Sequence, residues 1–531
     1  MSADDFALPA DPASRWAAPT ADPVVGPHVH AVIEQVFGAA PEPAGATANG
    51  AQHLLPPSRL TPAAQASLVA AVGGPHVHAD ASHRAAHANG MSYLDLVKRT
   101  TGPVDLPDAV VLPGNESEIA AVLQACTDHD IAVVPFGGGT SVVGGVSPSK
   151  GAHQAVIALD LTRLSQLKDL DEISRTATLQ AGLTGPQAED LLNPHGFTLG
   201  HVPQSFERAT IGGYAATRSA GQLSTGWGRF DTLVEKLRAV TPQGTLALGR
   251  APGTAAGPDL RQLLLGSEGA FGVITEVTVR IRPLPEARRH EGWRVTSFAE
   301  GVALLRALVQ DGPRPDLARL SDEAETALGV ATGGEPGGEG CLLLTGWEGR
   351  TADVEARAAA TAELLGAAGA VPLGEDAAAS WRSGRFRAPR MRDELLGLGL
   401  LVETLETATS WRDLEHVHDA VGDALRGALD GSLPVVVCHV SHLYAAGASL
   451  YFSVLARRDL SDPVGQWLRA KRAAGDAIAA AGATITHHHA VGADHAPWMA
   501  AEVGETGVEL LRAVKAQLDP AGILNPAKLL P

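Results

Sequence analysis

Three adjacent histidines, His487, His488 and His489, stand in the segment THHHAVG near the end of a 531-residue chain. Histidine changes charge near neutral pH, and like charges side by side disfavour protonation, so the run offers neutral bases. If the segment is a strand, His487 and His489 share one face and His488 opposes them. Asp494 and His495 follow without a clean ligand spacing, which favours acid–base or phosphate-binding work over a metal. Tyrosine is scarce, with Tyr93, Tyr214, Tyr444 and Tyr451 the full set, yet two of the four fall in VCHVSHLYAAGASLYFSVLAR. Each alone reads as a core residue with its hydroxyl satisfied. A third feature is Gly137, Gly138 and Gly139, directly after the apolar run IAVVPF and followed by Thr140 and Ser141. Residues without a Cβ let backbone N–H groups approach a phosphate, and the two hydroxyls add donors.

These side chains need elements to hold them. DAVVLPG reads as a strand and turn, ESEIAAVLQACTDHD as a helix, and IAVVPF as a buried strand ending in the glycine loop. No G-x-x-x-x-G-K-[ST] is present, and no G-x-G-x-x-G opens a helix, so a P-loop and a Rossmann site are both unsupported. Strand-like runs continue through AVIALDL, TATLQAG, LRAVTPQG and ITEVTVRIRPLP to about residue 285. Helix-prone and strand-like stretches then alternate as in a second α+β domain. The expected division is 1–103 as an extension with helical parts, 104–285, 286–480, and a C-terminal segment 481–531 returning to the earlier domain. Residues 1–50 are rich in Pro and Ala, with a helix expected from His30 to Phe37. The hexapeptide GPHVHA occurs twice, at Gly26 to Ala31 and Gly74 to Ala79, and its histidines read as surface residues near helix starts.

Composition narrows the function classes. Hydrophobic residues at 45% and charged residues at 19% describe a globular chain, long enough for several domains. Lys plus Arg is 41 against 59 Asp plus Glu, a net charge of −18 that argues against general nucleic-acid binding. Cys126, Cys341 and Cys438 are too widely spaced for a disulfide framework or a CxxC metal site. No run of 18 apolar residues and no signal-peptide core occurs, so a cytoplasmic protein is expected, with peripheral membrane contact left open.

Further segments sharpen the picture: TIGGYAATRSAG, LLLGSEGAFGVITEVTVRIRPLP and the closing LDPAGILNP. Taken with PDAVVLPGNESEI and VVPFGGGTSVVGG, they resemble the FAD-binding domain of the vanillyl-alcohol oxidase/p-cresol methylhydroxylase flavoprotein superfamily, from about Ser58 to Pro531. The implied fold class is α+β: a two-subdomain FAD-binding domain of PCMH/VAO type with an α+β substrate (cap) domain. The resemblance implies FAD contacts at Pro135, Phe136, Gly137, Gly138, Gly139, Thr140 and Ser141. It adds Gln204, Ser205, Phe206, Glu207, Arg208, Ala209 and Thr210, then Thr217, Arg218, Ser219 and Ala220, and then Ser267, Glu268, Gly269, Ala270, Phe271, Gly272 and Val273. Covalent branches carry an attachment histidine in the glycine-loop segment. This loop has none, so FAD is expected to be non-covalent.

Within that superfamily, FRAPRMRDELLGLGLLVETLETATSW, HVSHLYAAGASLYF and THHHAVGADHAPWM resemble the alkyldihydroxyacetonephosphate synthase (alkylglycerone-phosphate synthase) family. The resemblance implies a catalytic tyrosine at Tyr451, active-site histidines at His487, His488 and His489, and substrate-binding residues Arg392, Arg319 and Tyr444, with Arg319 beside the flavin. It implies the exchange of the acyl group of 1-acyl-glycerone 3-phosphate for a long-chain fatty alcohol in ether lipid biosynthesis, without net redox change. Such chemistry needs a base for the proton alpha to the carbonyl, a cation for the phosphate and an apolar tunnel. The implied partners are these small lipid substrates, with no nucleic acid, and a homodimer is left open. The rival is an FAD-dependent oxidoreductase of a 2-hydroxy acid such as D-lactate or glycolate. That group carries GHxGDGNxH where this chain has SHLYAAGASLYF. A third class is a flavin-binding protein without turnover, against which Tyr451, Arg392 and the histidine run weigh.

Overall fold

The computed structural model describes residues 25–38, 56–101, 105–332 and 337–531. The first sheet joins β1 (Val77–His78), β2 (Ala109–Val111), β3 (Ile131–Phe136) and β4 (Ala155–Asp160) in the order β1-β2-β4-β3. β2, β4 and β3 run parallel, and β1 is antiparallel at the edge. A parallel step needs a crossover, and the helix Glu116–Asp128 supplies it from β2 to β3. That helix starts where Asn115 accepts a hydrogen bond from the Glu118 N–H, and it buries Ile119, Val122, Leu123 and Cys126.

A second, antiparallel sheet contains β5 (Leu167–Asp171), β6 (Thr176–Gln180), β8 (Val234–Thr241), β9 (Gly244–Leu248) and β10 (Val273–Arg280), in the order β5-β6-β10-β8-β9. A short ribbon pairs β7 (Phe197–Thr198) with β11 (Arg282–Pro283). The chain end also reaches the first sheet: the Val133 N–H donates to the Ile523 carbonyl at 2.8 Å, and the Asn525 N–H donates to the Val133 carbonyl at 2.8 Å.

The third sheet has seven antiparallel strands: β12 (Ala287–Val295), β13 (Leu317–Ser321), β14 (Cys341–Gly349), β15 (Val371–Leu373), β16 (Leu400–Ser410), β17 (Val435–Tyr444) and β18 (Gly447–Arg457). Their order is β15-β12-β14-β13-β17-β18-β16. Side chains alternate along a strand, and β18 uses the alternation fully. Leu450, Phe452, Val454 and Ala456 enter the main apolar core, with Val417, Val421 and Leu425 of the helix Leu414–Ala428 and Trp467, Ala470 and Ala474 of the helix Pro463–Ala480. Ser449, Tyr451 and Ser453 are left on the opposite face. Burying the apolar set therefore decides where Tyr451 points.

The two GPHVHA copies do not fold alike. The first lies in the helix Pro27–Phe37, while the second forms a short 3₁₀ turn and then β1, paired with Val110 and Val111. The expected helix around His30 to Phe37 is present and begins at Pro27. The remainder of the Pro- and Ala-rich start lies mostly outside the described residues.

Candidate functional site: a glycine-lined cleft beside a tyrosine–histidine cluster

Between the first two sheets lies a cleft lined by Pro135, Phe136, Gly137, Ser141, Thr210, Thr217 and Glu268 from the expected contact set. Gly212 and Gly213 of the TIGGYAATRSAG motif, with Gly145, Val146, Leu161, Ala216 and Ile274, complete the lining. Gly138, Gly139 and Thr140, the Gln204 to Ala209 stretch, Arg218, Ser219, Ala220, Ser267 and Gly269 to Val273 do not line it. Gly138 also has a packing role. A Cβ there would meet the Arg208 carbonyl oxygen at 2.0 Å, so the glycine permits close backbone packing. At Gly137 a Cβ would meet the Thr210 hydroxyl at 2.3 Å. Gly139 has φ +64°, the left-handed conformation that favours glycine.

The lining suits an extended dinucleotide. Glycines and hydroxyls (Ser141, Thr210, Thr217) form the walls, and no Lys or Arg is among the lining residues. A pyrophosphate would rest on backbone N–H and O–H donors. Glu268, on the cleft wall, is buried at 8% exposure. Its carboxylate accepts from the N–H groups of Val491 (3.1 Å) and Gly492 (2.8 Å). Burial nevertheless pushes its carboxyl up to about 7, which limits the negative charge it brings to the cleft wall.

Val491 and Gly492 follow the histidine run after Ala490, so Glu268 ties the cleft to that run. The histidines are not in a strand, and the expected alternation of faces fails. They wrap around one carboxylate instead. Glu406 of β16, 1% exposed, accepts from the N–H groups of His487 (2.5 Å), His488 (3.1 Å) and His489 (2.9 Å), and from the Thr486 hydroxyl (2.6 Å). Four donors aimed at one carboxylate satisfy its lone pairs and impose a bent conformation on residues that could otherwise extend. Burial opposes the charged form of Glu406, but the donors converging on it from the histidine run and the Thr486 hydroxyl hold its carboxyl well below the ordinary range.

The rings converge with the tyrosines. The Tyr444 hydroxyl lies 2.5 Å from His487 Nε2, and His487 Nδ1 lies 2.9 Å from His488 Nδ1. The Tyr451 ring is nearly parallel to His488 at 6.0 Å and edge-on to His489 at 5.5 Å. All three histidines have lowered pKa values, His489 down to about 3. The first cause is burial, with like-charge repulsion secondary, so the expected direction holds for a different leading reason. Burial also pushes the Tyr444 and Tyr451 phenols up to about 12.

Arg392, on the helix Ala388–Gly397, donates from Nη1 to the Met91 carbonyl at 2.5 Å. Its Nε and Nη2 are buried without a hydrogen-bond partner. Arg319 on β13 is committed within the protein, donating from Nη2 to Glu325 Oε1 at 2.9 Å. The site contains residues that sequence reading passed over: Glu406, His442, His439 and Glu325. A β-bulge sets Ser441 and His442 together opposite Ser449, and the His442 ring stacks on His487 at 5.2 Å and 19°. The signal was available in VCHVSHLY, whose two histidines precede Tyr444 closely. Glu406 lacked any signal, since ETLETA alternates like an ordinary strand. Asp494 and His495 form no ligand set with the run, and His495 Nδ1 is engaged by the Ala490 carbonyl at 2.8 Å.

Residues 107–248 match the family described as FAD binding domain, and residues 284–529 match FAD linked oxidases, C-terminal domain. The alkyldihydroxyacetonephosphate synthase of Trypanosoma brucei brucei is 32% identical over 483 residues, covering 86% of this chain and 78% of its own. A solved alkyldihydroxyacetonephosphate synthase superposes with a TM-score of 0.77 at 26% identity, covering 94% of this chain and 92% of the other. Substrate-bound p-cresol methylhydroxylase shares the fold, with a TM-score of 0.68 at 15% identity over 88% of this chain and 96% of its own.

Proposed function

Because this chain belongs to the alkyldihydroxyacetonephosphate synthase family of FAD-linked enzymes, we propose that it exchanges the acyl group of 1-acyl-glycerone 3-phosphate for a long-chain fatty alcohol. FAD is the cofactor, and the glycine-lined cleft is the place that suits it. The absence of histidine from Pro135 to Ser141 supports non-covalent binding. The carrying observation is the cluster of two phenols and buried neutral imidazoles around Glu406, one short loop from the cleft. When bound, the flavin supplies an electron sink for the substrate carbon.

The protein's own residues have separate tasks. Tyr451, with a neighbouring neutral histidine, moves the proton alpha to the carbonyl. The hydrogen bond between the Tyr444 hydroxyl and His487 Nε2 holds that phenol in place. Arg392 offers unpaired N–H groups to a phosphate, a role its planar fork suits. Glu406 keeps the histidine loop in register. Peripheral membrane contact belongs to the same proposal, supported by the low water solubility of long-chain substrates. Among the described residues no helix is long and apolar enough to cross a membrane.

The test supplies acyl-glycerone phosphate with labelled hexadecanol and looks for a labelled ether product. Followed anaerobically, the flavin should bleach with acyl-glycerone phosphate and regain its colour when alcohol is added without an electron acceptor. Bleaching by D-lactate or glycolate instead, reversed only by oxygen or a dye, would establish the 2-hydroxy-acid reading.

A further inference from the structure

His439 has no part in the chemistry above, although it is the cross-strand neighbour of Tyr451. The two are directly paired between β17 and β18, and their rings stack at 4.9 Å and 21°. His439 Nδ1 lies 3.0 Å from Glu325 Oε1, the same oxygen that accepts from Arg319. Burial opposes the charge on Glu325, but Arg319 and His439 hold its carboxyl down to about 2. An ionised carboxylate can only accept, so the hydrogen-bond network assigns the ring proton to Nδ1 and leaves the lone pair on Nε2.

The mount is rigid. Asp322 caps the helix Glu323–Ala331 by accepting from the Glu325 N–H at 2.7 Å, and it also accepts from the Cys438 N–H at 2.9 Å. Helix and strand are thereby fixed to each other beside the Glu325–His439 contact. The charged groups around the imidazole are Arg319 of β13 together with Glu325 and Asp322, and Tyr451 of β18 covers its ring. Burial and Arg319 lower its pKa, so it is neutral at pH 7. Its side chain is 9% exposed. A carboxylate-oriented neutral imidazole with one free nitrogen is the arrangement of a general base.

We propose that His439, oriented by Glu325, is a second general base of this site and takes the hydroxyl proton of the incoming fatty alcohol. The inference rests on the exchange reading above. Exchange must handle two protons, one alpha to the carbonyl and one on the alcohol, and a base holding the first cannot accept the second. The acyl group leaves as a carboxylate with its bonding electron pair. The alcohol oxygen then bonds to C1 of glycerone phosphate while its proton passes to His439 Nε2 and on to solvent. The proton that Tyr451 takes from C1 is returned to C1 as the alkyl product is released, so atoms and charge balance and no net oxidation occurs.

His439→Asn tests the assignment, because its amide nitrogen can replace Nδ1 as donor to Glu325 while Nε2 is deleted. The two half-reactions are timed separately under anaerobic conditions. Recolouring by hexadecanol should slow by about 10²-fold or more, the usual cost of losing general base help, with a far smaller change in bleaching by acyl-glycerone phosphate. The acid limb of the recolouring pH profile should disappear. Glu325→Gln should impair the same step while flavin content stays at the wild-type level. Equal slowing of both half-reactions, or of neither, would assign His439 a structural role and overturn the inference. Wild-type protein that fails to bleach with acyl-glycerone phosphate overturns the exchange reading itself, and this inference with it.

Discussion

Arg392 shows how much a single residue can carry. A guanidinium buried with Nε and Nη2 unpaired is costly to keep, because each unmet buried donor forfeits roughly 1–3 kcal/mol. Asp393 offers Nη2 only a 3.8 Å ion-pair contact. A ligand phosphate would relieve that cost. Arg392→Lys keeps the charge and loses the fork, so the KM for acyl-glycerone phosphate should rise about tenfold or more, the equivalent of one charge-assisted hydrogen bond. FAD content should hold. Loss of flavin or of folding in this variant would make Arg392 a structural residue. Arg392 and Tyr451 could be picked out in the sequence by the motifs around them. Glu406 could not, because a carboxylate in an alternating strand looks like any solvent-facing position until the histidine loop is placed over it.

At the scale of elements, the histidine loop depends on that carboxylate. Glu406→Gln replaces two accepting oxygens by one and turns an N–H donor toward N–H donors. Charge-assisted hydrogen bonds contribute about 1.5–3 kcal/mol each, so losing one or two should cost about 2–5 kcal/mol. Urea denaturation measures that loss, and turnover should fall with it as the imidazoles leave their places around Tyr451. Wild-type stability in this variant would show that other contacts hold the loop. The pH sign follows from the depressed folded pKa. The stabilisation from Glu406 is present above the unfolded carboxyl value near 4.5 and is lost as pH falls through the lower folded value. Elements also show why local sequence is insufficient. GPHVHA is helical at Pro27–Phe37, where Ile33 and Phe37 pack against Leu395 and Leu400, and it is a strand at Val77–His78, where Val111 and Val110 supply the pairing. Six identical residues follow whichever partner the rest of the fold presents.

The whole molecule buries many neutral imidazoles. Burial pushes His201, His489 and His495 down to about 3 and His290 down to about 4. The unfolded chain binds protons at these histidines below about 6.5 while the folded chain resists, so stability is full above that pH and drains as pH falls toward the folded values. Each such group removes up to about 1.4 kcal/mol per pH unit within its window. The urea midpoint should therefore drop steadily between about pH 6.5 and pH 4. A flat midpoint across that range would mean the imidazoles are protonated in the folded state. Sequence alone determined the α+β class, the glycine loop after β3, the family, and the identity of the tyrosines and histidines now found together, because these follow from local periodicity and from motifs contiguous in the chain. Tertiary structure decided what surrounds them. The backbone approach that makes Gly138 necessary, the carboxylate that bends the histidine run, and the pairing of His439 with both Tyr451 and Glu325 join residues far apart in the chain. Those contacts exist only after strand register and core burial have chosen which face each side chain occupies.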